Sequence, residues 1–172
     1  MASDEYDKVE LPALTQLQSL GWDYIEGAQL SPDESEERTY LTDVVLESRL
    51  KDAIKRINPW INETNLNQVV RPFIKIQEST LLEANKWVWE SLTQYLSVEQ
   101  DLGKGKKGQT VKVIDFDNPE NNEFLCTNQF KISGVNQNII PDILLFVNGL
   151  PLVVIECKSP YITNPMESGI DQ

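Results

Sequence analysis

The chain has 172 residues, 40% hydrophobic and 24% charged, enough for one domain with a substantial core and too apolar for a wholly disordered chain. It has no histidine, which excludes histidine triads, histidine metal sites and histidine general bases together, so any chemistry must use carboxylates, lysine, hydroxyls or thiols. The formal charge of −12 argues against a free-standing DNA-capturing module, although the excess is uneven: residues 1–50 carry 12 acids and 3 bases, and residues 51–160 carry 13 acids and 12 bases.

Leu11, Leu14, Leu17 and Leu20 recur at helical spacing and stop at Gly21, which predicts a first helix over 10–20. Trp22 to Ile25 follows as a short strand or turn. GAQLSPDESEER is polar and lacks periodicity, so residues 28–37 are expected to be an exposed loop. Between Tyr40 and Asn58, Leu46, Leu50, Ile54 and Ile57 share one face of a second predicted helix that ends at Pro59. A third segment, 63–76, should be kinked or broken by Pro72. Ser79 is positioned to cap the amphipathic stretch STLLEANKWVWESLTQYL.

Beyond Leu102 the pattern changes. DLGKGKKGQ, residues 101–109, reads as a flexible basic loop, and TVKVIDF, NEFLCTNQFKI, NIIPDILLFV and LPLVVIECK read as strands. Helices followed by strands predict an α+β or mixed α/β domain with one sheet. Asn164, Pro165 and Glu167 resemble a helix start. The chain stops at Gln172 inside that helix, as expected of a single domain over 1–172 cut short at its C-terminal end.

The strands around Asn148-Gly149 carry the chemistry. This dipeptide between two apolar runs predicts an antiparallel hairpin. Alternation then puts Glu156 and Lys158 on one face and Ile155 and Cys157 on the other. A two-residue turn pairs Val147 with Leu150, and hence Asp142 with Ile155, on the wrong face for Glu156. A three-residue turn with a glycine bulge at Gly149 brings Asp142 and Glu156 together, so cooperating carboxylates predict the bulge. Two carboxylates at a strand end suit a hard cation such as Mg²⁺. A neighbouring lysine can orient and help deprotonate an attacking water, or offset charge on a pentavalent phosphorus. The alternative is a surface ion pair of Glu156 and Lys158, worth about 0–1 kcal/mol.

Asp142, with Glu156-Cys157-Lys158, resembles the PD-(D/E)xK nuclease pattern. NQF, IPDILLFVNGLPLVVIECKSP, LQSLGWDY and a helix ending in INP together resemble the N-terminal nuclease region of type I restriction enzyme R subunits. The resemblance implies a restriction-endonuclease-like α/β fold: a mixed sheet with an antiparallel catalytic hairpin, flanked by helices. It implies Asp142 and Glu156 as Mg²⁺ ligands, the Cys157 backbone carbonyl as a further ligand, and Lys158 as the catalytic lysine. Glu10 falls where such nucleases often place an auxiliary acid, a solvated helix-terminal Glu being the alternative. Gln172 matches the first residue of a Q-x-x-x-Y helix motif. The implied activity is Mg²⁺-dependent cleavage of double-stranded DNA, in a complex with modification (methyltransferase) and specificity subunits. ATP would serve a translocase in the full-length subunit and would not bind these residues. Rival readings are a stand-alone repair or modification-dependent nuclease, and a non-catalytic nuclease-like module that binds DNA or subunits.

Other features carry less. GKGKKGQT departs from a P-loop, because Gln109 replaces its lysine and a strand follows where a helix should. Lys104, Lys106, Lys107 and Lys112 are candidate DNA-phosphate contacts in what is otherwise a basic turn. Trp87, Trp89 and Tyr95 read as packing residues, and Lys51, Lys55 and Arg56 as a solvated helix face. Two cysteines, Cys126 and Cys157, have neither disulfide-framework nor zinc spacing and are expected to be reduced and buried. The acidic N-terminus and the lack of a long apolar run predict a cytoplasmic protein with no membrane partner.

Overall fold

The computed structural model describes residues 5–134, 137–159 and 161. In chain order it has a π-helical turn (Tyr6–Glu10), helix α1 (Leu11–Ser19), strand β1 (Asp23–Tyr24) and a 3₁₀ turn (Gly27–Leu30). Helices α2 (Glu47–Ile57), α3 (Glu63–Ile74) and α4 (Leu81–Thr93) precede strands β2 (Leu96–Asp101) and β3 (Lys106–Val111). A second 3₁₀ turn (Pro119–Asn121) leads to β4 (Phe124–Asn128), β5 (Ile132–Ser133), β6 (Asn138–Ile139), β7 (Ile143–Val147) and β8 (Leu150–Ile155). The chain is mixed α/β, but the described residues form a four-stranded mixed sheet and two two-stranded sheets where one sheet was expected. It divides into two compact units.

The first unit comprises Met1–Val44, Phe124–Phe146 and Pro151–Gln172. At its start the Leu11 N–H reaches back to the Tyr6 carbonyl, five residues away. Pro12 accounts for this: it has no N–H, and its ring crowds the carbonyl four residues back, so the ladder widens just before it. Val9, Ala13, Leu14 and Leu17 face the core, and Glu10 is buried with them. The expected Leu11-Leu14-Leu17-Leu20 stripe fails at its ends, where Leu11 and Leu20 are exposed. A strict spacing of three drifts by about 60° per step around an α-helix.

The sheet has the order β1-β4-β7-β8. Strand β1 runs parallel to β4, pairing Asp23 with Leu125 and Tyr24 with Cys126. Ile143 to Phe146 of β7 are all buried, as in a strand covered on both faces. Strand β8 is an edge on which Leu152, Val153 and Val154 are exposed, so only one arm of the hairpin expected to be dry is so. Leu14, Cys126, Ile143, Leu145 and Cys157 form the local core.

The second unit comprises Val45–Glu123 and Val147–Leu150, and centres on Leu50, Ile54, Leu66, Val69, Val70, Phe73, Val111 and Val113. Helix α2 begins at Glu47 rather than near Tyr40, because the Asp43 carboxylate accepts the Thr39 and Tyr40 N–H groups at 3.0 and 2.8 Å and holds the chain in a turn. Helix α3 runs through Pro72 where a kink or break was expected, and ends two residues later at Ile74. Thr80, one residue past the expected Ser79, caps α4 by accepting the Glu83 N–H at 3.2 Å, and its hydroxyl donates to the Glu83 carboxylate at 2.8 Å. The 101–109 segment is mostly a hairpin, with Asp101 paired to Lys106, and its tip forms because Asp101 Oδ1 accepts the N–H groups of Gly103, Lys104 and Gly105.

Asn148 and Gly149 both have positive φ, 53° and 78°, between strands ending at Val147 and starting at Leu150. This is a two-residue type I′ turn, and the expected bulge is absent. It is also buried. Asn148 Nδ2 donates to the Val113 carbonyl (2.8 Å) and Asn122 Oδ1 (2.9 Å), and its Oδ1 accepts the Glu123 N–H (2.8 Å). A Cβ on Gly149 would lie 2.5 Å from the Leu46 carbonyl oxygen, so only glycine fits there.

Candidate active site

The site lies in the first unit, where Asp142 stands one residue before β7 and Glu156 one residue after β8. With a two-residue turn these side chains should face apart if the ladder continued to its ends. It does not. Both residues lie outside the paired strands, and the Cys157 N–H turns onto Asp142 Oδ2 at 2.6 Å. The side chains of Asp142 and Glu156 are near enough to interact. Alternation still places Ile155 and Cys157 in the core, and Glu156 and Lys158 on the opposite side.

Asp142, Glu156 and Lys158 line one cavity of about 320 Å³, together with Glu5, Asn138, Ile139 and Ile140. Glu5 is held from the other side, accepting the Ser159 N–H at 2.7 Å. The Glu156 carboxyl is pushed above its ordinary proton affinity, first by desolvation, then by the charge of Asp142; Lys158 opposes the shift and Glu5 adds to it. Burial, then the charges of Asp142, Glu10, Glu5 and Glu156, pushes the Cys157 thiol up to about 11. A thiol held so far above neutrality is a poor nucleophile.

Glu10 is 4% exposed, which removes the solvated alternative for this residue. Its Oε1 accepts Asn128 Nδ2 at 2.9 Å, and its Oε2 lies 3.4 Å from Gln129 Nε2. The same Gln129 nitrogen lies 3.4 Å from Asp142 Oδ1, and the Tyr24 hydroxyl donates to Asn128 Oδ1 at 2.8 Å. Burial, and then neighbouring acids, pushes the Tyr24 hydroxyl up to about 12, so it remains a donor. Glu5, Tyr24, Asn128 and Gln129 were not singled out as site residues from sequence. Three of them sit in the strings LGWDY and NQF, which marked a resemblance without giving a role.

Among the described residues, no group of three or more His, Cys, Asp or Glu side chains is arranged to hold a metal ion. Asp142 and Glu156, the latter's ionisation disfavoured by burial and by the charge of Asp142, nonetheless match the needs of Mg²⁺, which takes one or two carboxylates and fills its shell with other oxygens. Asp142 and Glu156 are the residues that could hold it. Lys104, Lys106 and Lys107 are exposed on the β2–β3 hairpin of the second unit. Lys112 is engaged with Asp117 at 2.5 Å and Asp115 at 3.3 Å. Gln172 and the Asn164-Glu167 helix start lie outside the described residues. No helix among the described residues is long and apolar enough to cross a membrane.

Residues 3–172 match the family model described as Type I restriction enzyme R protein N terminus. The chain is 36% identical over 155 residues to a Methanocaldococcus jannaschii protein named as a candidate endonuclease subunit of type I restriction enzyme MjaIXP, a match covering 88% of this chain and 15% of that protein. It is 36% identical over 154 residues to the type I restriction enzyme HindI endonuclease subunit of Haemophilus influenzae, again covering 88% of this chain and 15% of the relative. The chain thus spans about 15% of the length of these relatives.

Proposed function

The chain belongs to the family of type I restriction enzyme R protein N termini, and from that premise we propose that it is the cutting module of such an enzyme, hydrolysing phosphodiester bonds of double-stranded DNA with Mg²⁺ on a PD-(D/E)xK, restriction-endonuclease-like scaffold. The observation that carries this reading is the convergence of Asp142, Glu156 and Lys158 on one 320 Å³ cavity. Asp142 and Glu156 would hold the cation, with the Cys157 carbonyl as a further donor. When bound, Mg²⁺ supplies Lewis-acid polarisation of a phosphoryl oxygen and acidifies water.

The chain's own residues do the rest. The Cys157 N–H at 2.6 Å fixes Asp142 Oδ2, so that carboxylate is oriented before substrate arrives. Lys158, on the same cavity wall, orients the attacking water and offsets negative charge growing on the pentavalent phosphorus. The excess of carboxylates repels bare DNA, which fits a module to which other parts of a larger enzyme deliver DNA. Because the chain spans about 15% of its relatives, ATP use and assembly with modification and specificity subunits are assigned to the longer protein.

The test uses the full-length subunit in its assembled complex. Asp142→Ala and Lys158→Ala should each lower Mg²⁺-dependent cutting by on the order of 100-fold or more, with complex assembly and ATP hydrolysis retained. Cutting at the unmodified rate by either variant would overturn the assignment in favour of a binding role.

A further inference from the structure

We infer that Gln129, held in place by Asn128, Tyr24 and Gly27, is a positioning residue that links buried Glu10 to Asp142 and sets how tightly the carboxylate pair takes a divalent cation. The inference rests on the reading of Asp142 and Glu156 as cation ligands.

The link is a directed chain of hydrogen bonds. Because the Tyr24 hydroxyl donates to Asn128 Oδ1 at 2.8 Å, the Asn128 amide must turn its Nδ2 to Glu10, which it meets at 2.9 Å. Glu10 has its other oxygen 3.4 Å from Gln129 Nε2, and the two hydrogens of that amide serve Glu10 and Asp142 at equal distance. A second tie runs through the backbone, where the Gln129 N–H donates to the Asp142 carbonyl at 3.1 Å.

Gln129 sits at φ 50°, a left-handed conformation that non-glycine residues rarely adopt. What keeps it there is close packing. A Cβ on Gly27 would lie 2.2 Å from the Asn128 carbonyl oxygen and 2.8 Å from the Gln129 carbonyl carbon, so the 3₁₀ turn presses its bare backbone against this peptide. Glu10, the last residue of the π-helical turn, lies at helical spacing from Ala13, Leu14 and Leu17 and is buried. A fold needing only stability gains nothing from a carboxylate among those side chains, since burying it costs stability unless it is fully hydrogen-bonded. Holding a ligand carboxylate through an amide is the arrangement by which outer residues orient cation ligands.

Mn²⁺ binding to the full-length subunit without DNA, read from the free-Mn²⁺ electron paramagnetic resonance signal, separates positioning from mere structure. Gln129→Ala and Glu10→Gln should each weaken binding about 10-fold. The double variant should lose no more than the weaker-binding single variant, because both remove one link. The Mg²⁺ concentration for half-maximal cutting should rise in parallel, with cutting restored at high Mg²⁺. Unchanged Mn²⁺ affinity in folded Gln129→Ala, or fully additive losses, would overturn the inference. If Gln129→Ala does not fold, Tyr24→Phe removes only the hydroxyl that orients Asn128; it should weaken Mn²⁺ binding less but in the same direction, and no change would equally overturn the inference. Asp142→Ala distinguishes the two levels: unmodified Mn²⁺ binding there sinks the cation-site reading, whereas its loss there with none in Gln129→Ala sinks only the link.

Discussion

Asp115 in the second unit and Glu156 in the first are both carboxylates near a lysine, and their surroundings push them in opposite directions. Asp115 accepts Asn121 Nδ2 at 2.9 Å, backbone N–H groups of Asp117 and Asn118, and the Lys112 ammonium at 3.3 Å. Those donors, the Asn121 side chain foremost, hold its carboxyl down to about 2. Glu156 faces desolvation and the charges of Asp142 and Glu5, opposed by Lys158, and its carboxyl is pushed up. One carboxylate is surrounded by what a negative charge requires and finishes a turn. The other is surrounded by more negative charge, a condition that a cation would relieve. Both units bury polar side chains, Asn58, Asn65 and Asn148 in the second and Glu10 and Asn128 in the first, but the first unit's core cluster also holds two thiols.

The largest test of that contrast is Leu66→Ala in the second unit's core, which should cost about 2–5 kcal/mol by denaturant unfolding while leaving the Mn²⁺ affinity of the folded protein unchanged. A change in that affinity would blur the division between the regions. Next comes acid stability. Because the folded Asp115 value of about 2 lies below the ordinary 3.8, its charge adds stability above about pH 4 that is lost as pH falls toward 2. Asp115→Asn should flatten the stability curve across that window. The smallest effect is at Glu156, whose raised folded value adds stability at acid pH that is lost as pH rises through it, from above the ordinary 4.5. Glu156→Gln should therefore raise the melting temperature slightly at neutral pH while Mn²⁺ binding is lost.

Local rules predicted much of this. The Asn148-Gly149 hairpin, the Gly21 helix stop and the inward side of Ile155 and Cys157 were all legible, because each depends on neighbours a few residues away. The convergence of Asp142 and Glu156 was legible too, but by the wrong route. A bulge was expected, and the strands instead end one residue short of both acids. Tyr24, Asn128 and Gln129 could not be assigned a role from spacing, since their bonds join residues 104 to 119 positions apart in Tyr24–Asn128 and Glu10–Gln129. Glu10 was flagged by position, and helical spacing puts it on the face of Ala13, Leu14 and Leu17, but the partners that make its burial possible, Asn128 and Gln129, lie more than a hundred residues away.

The buried Asn148-Gly149 turn bears on how the protein ages. In a mobile Asn-Gly sequence the glycine amide nitrogen attacks the asparagine side-chain carbonyl and expels ammonia, and water then opens the resulting cyclic imide to leave a carboxylate. Here the Asn148 amide is fully buried and bonded at both ends, and it is denied that approach. Once the chain unfolds the protection is gone. A carboxylate formed there would point an acceptor at the Val113 carbonyl, so an aged chain should refold poorly. Peptide mapping of native and unfolded samples after equal storage reads the difference directly, with conversion at Asn148 expected only in the unfolded one.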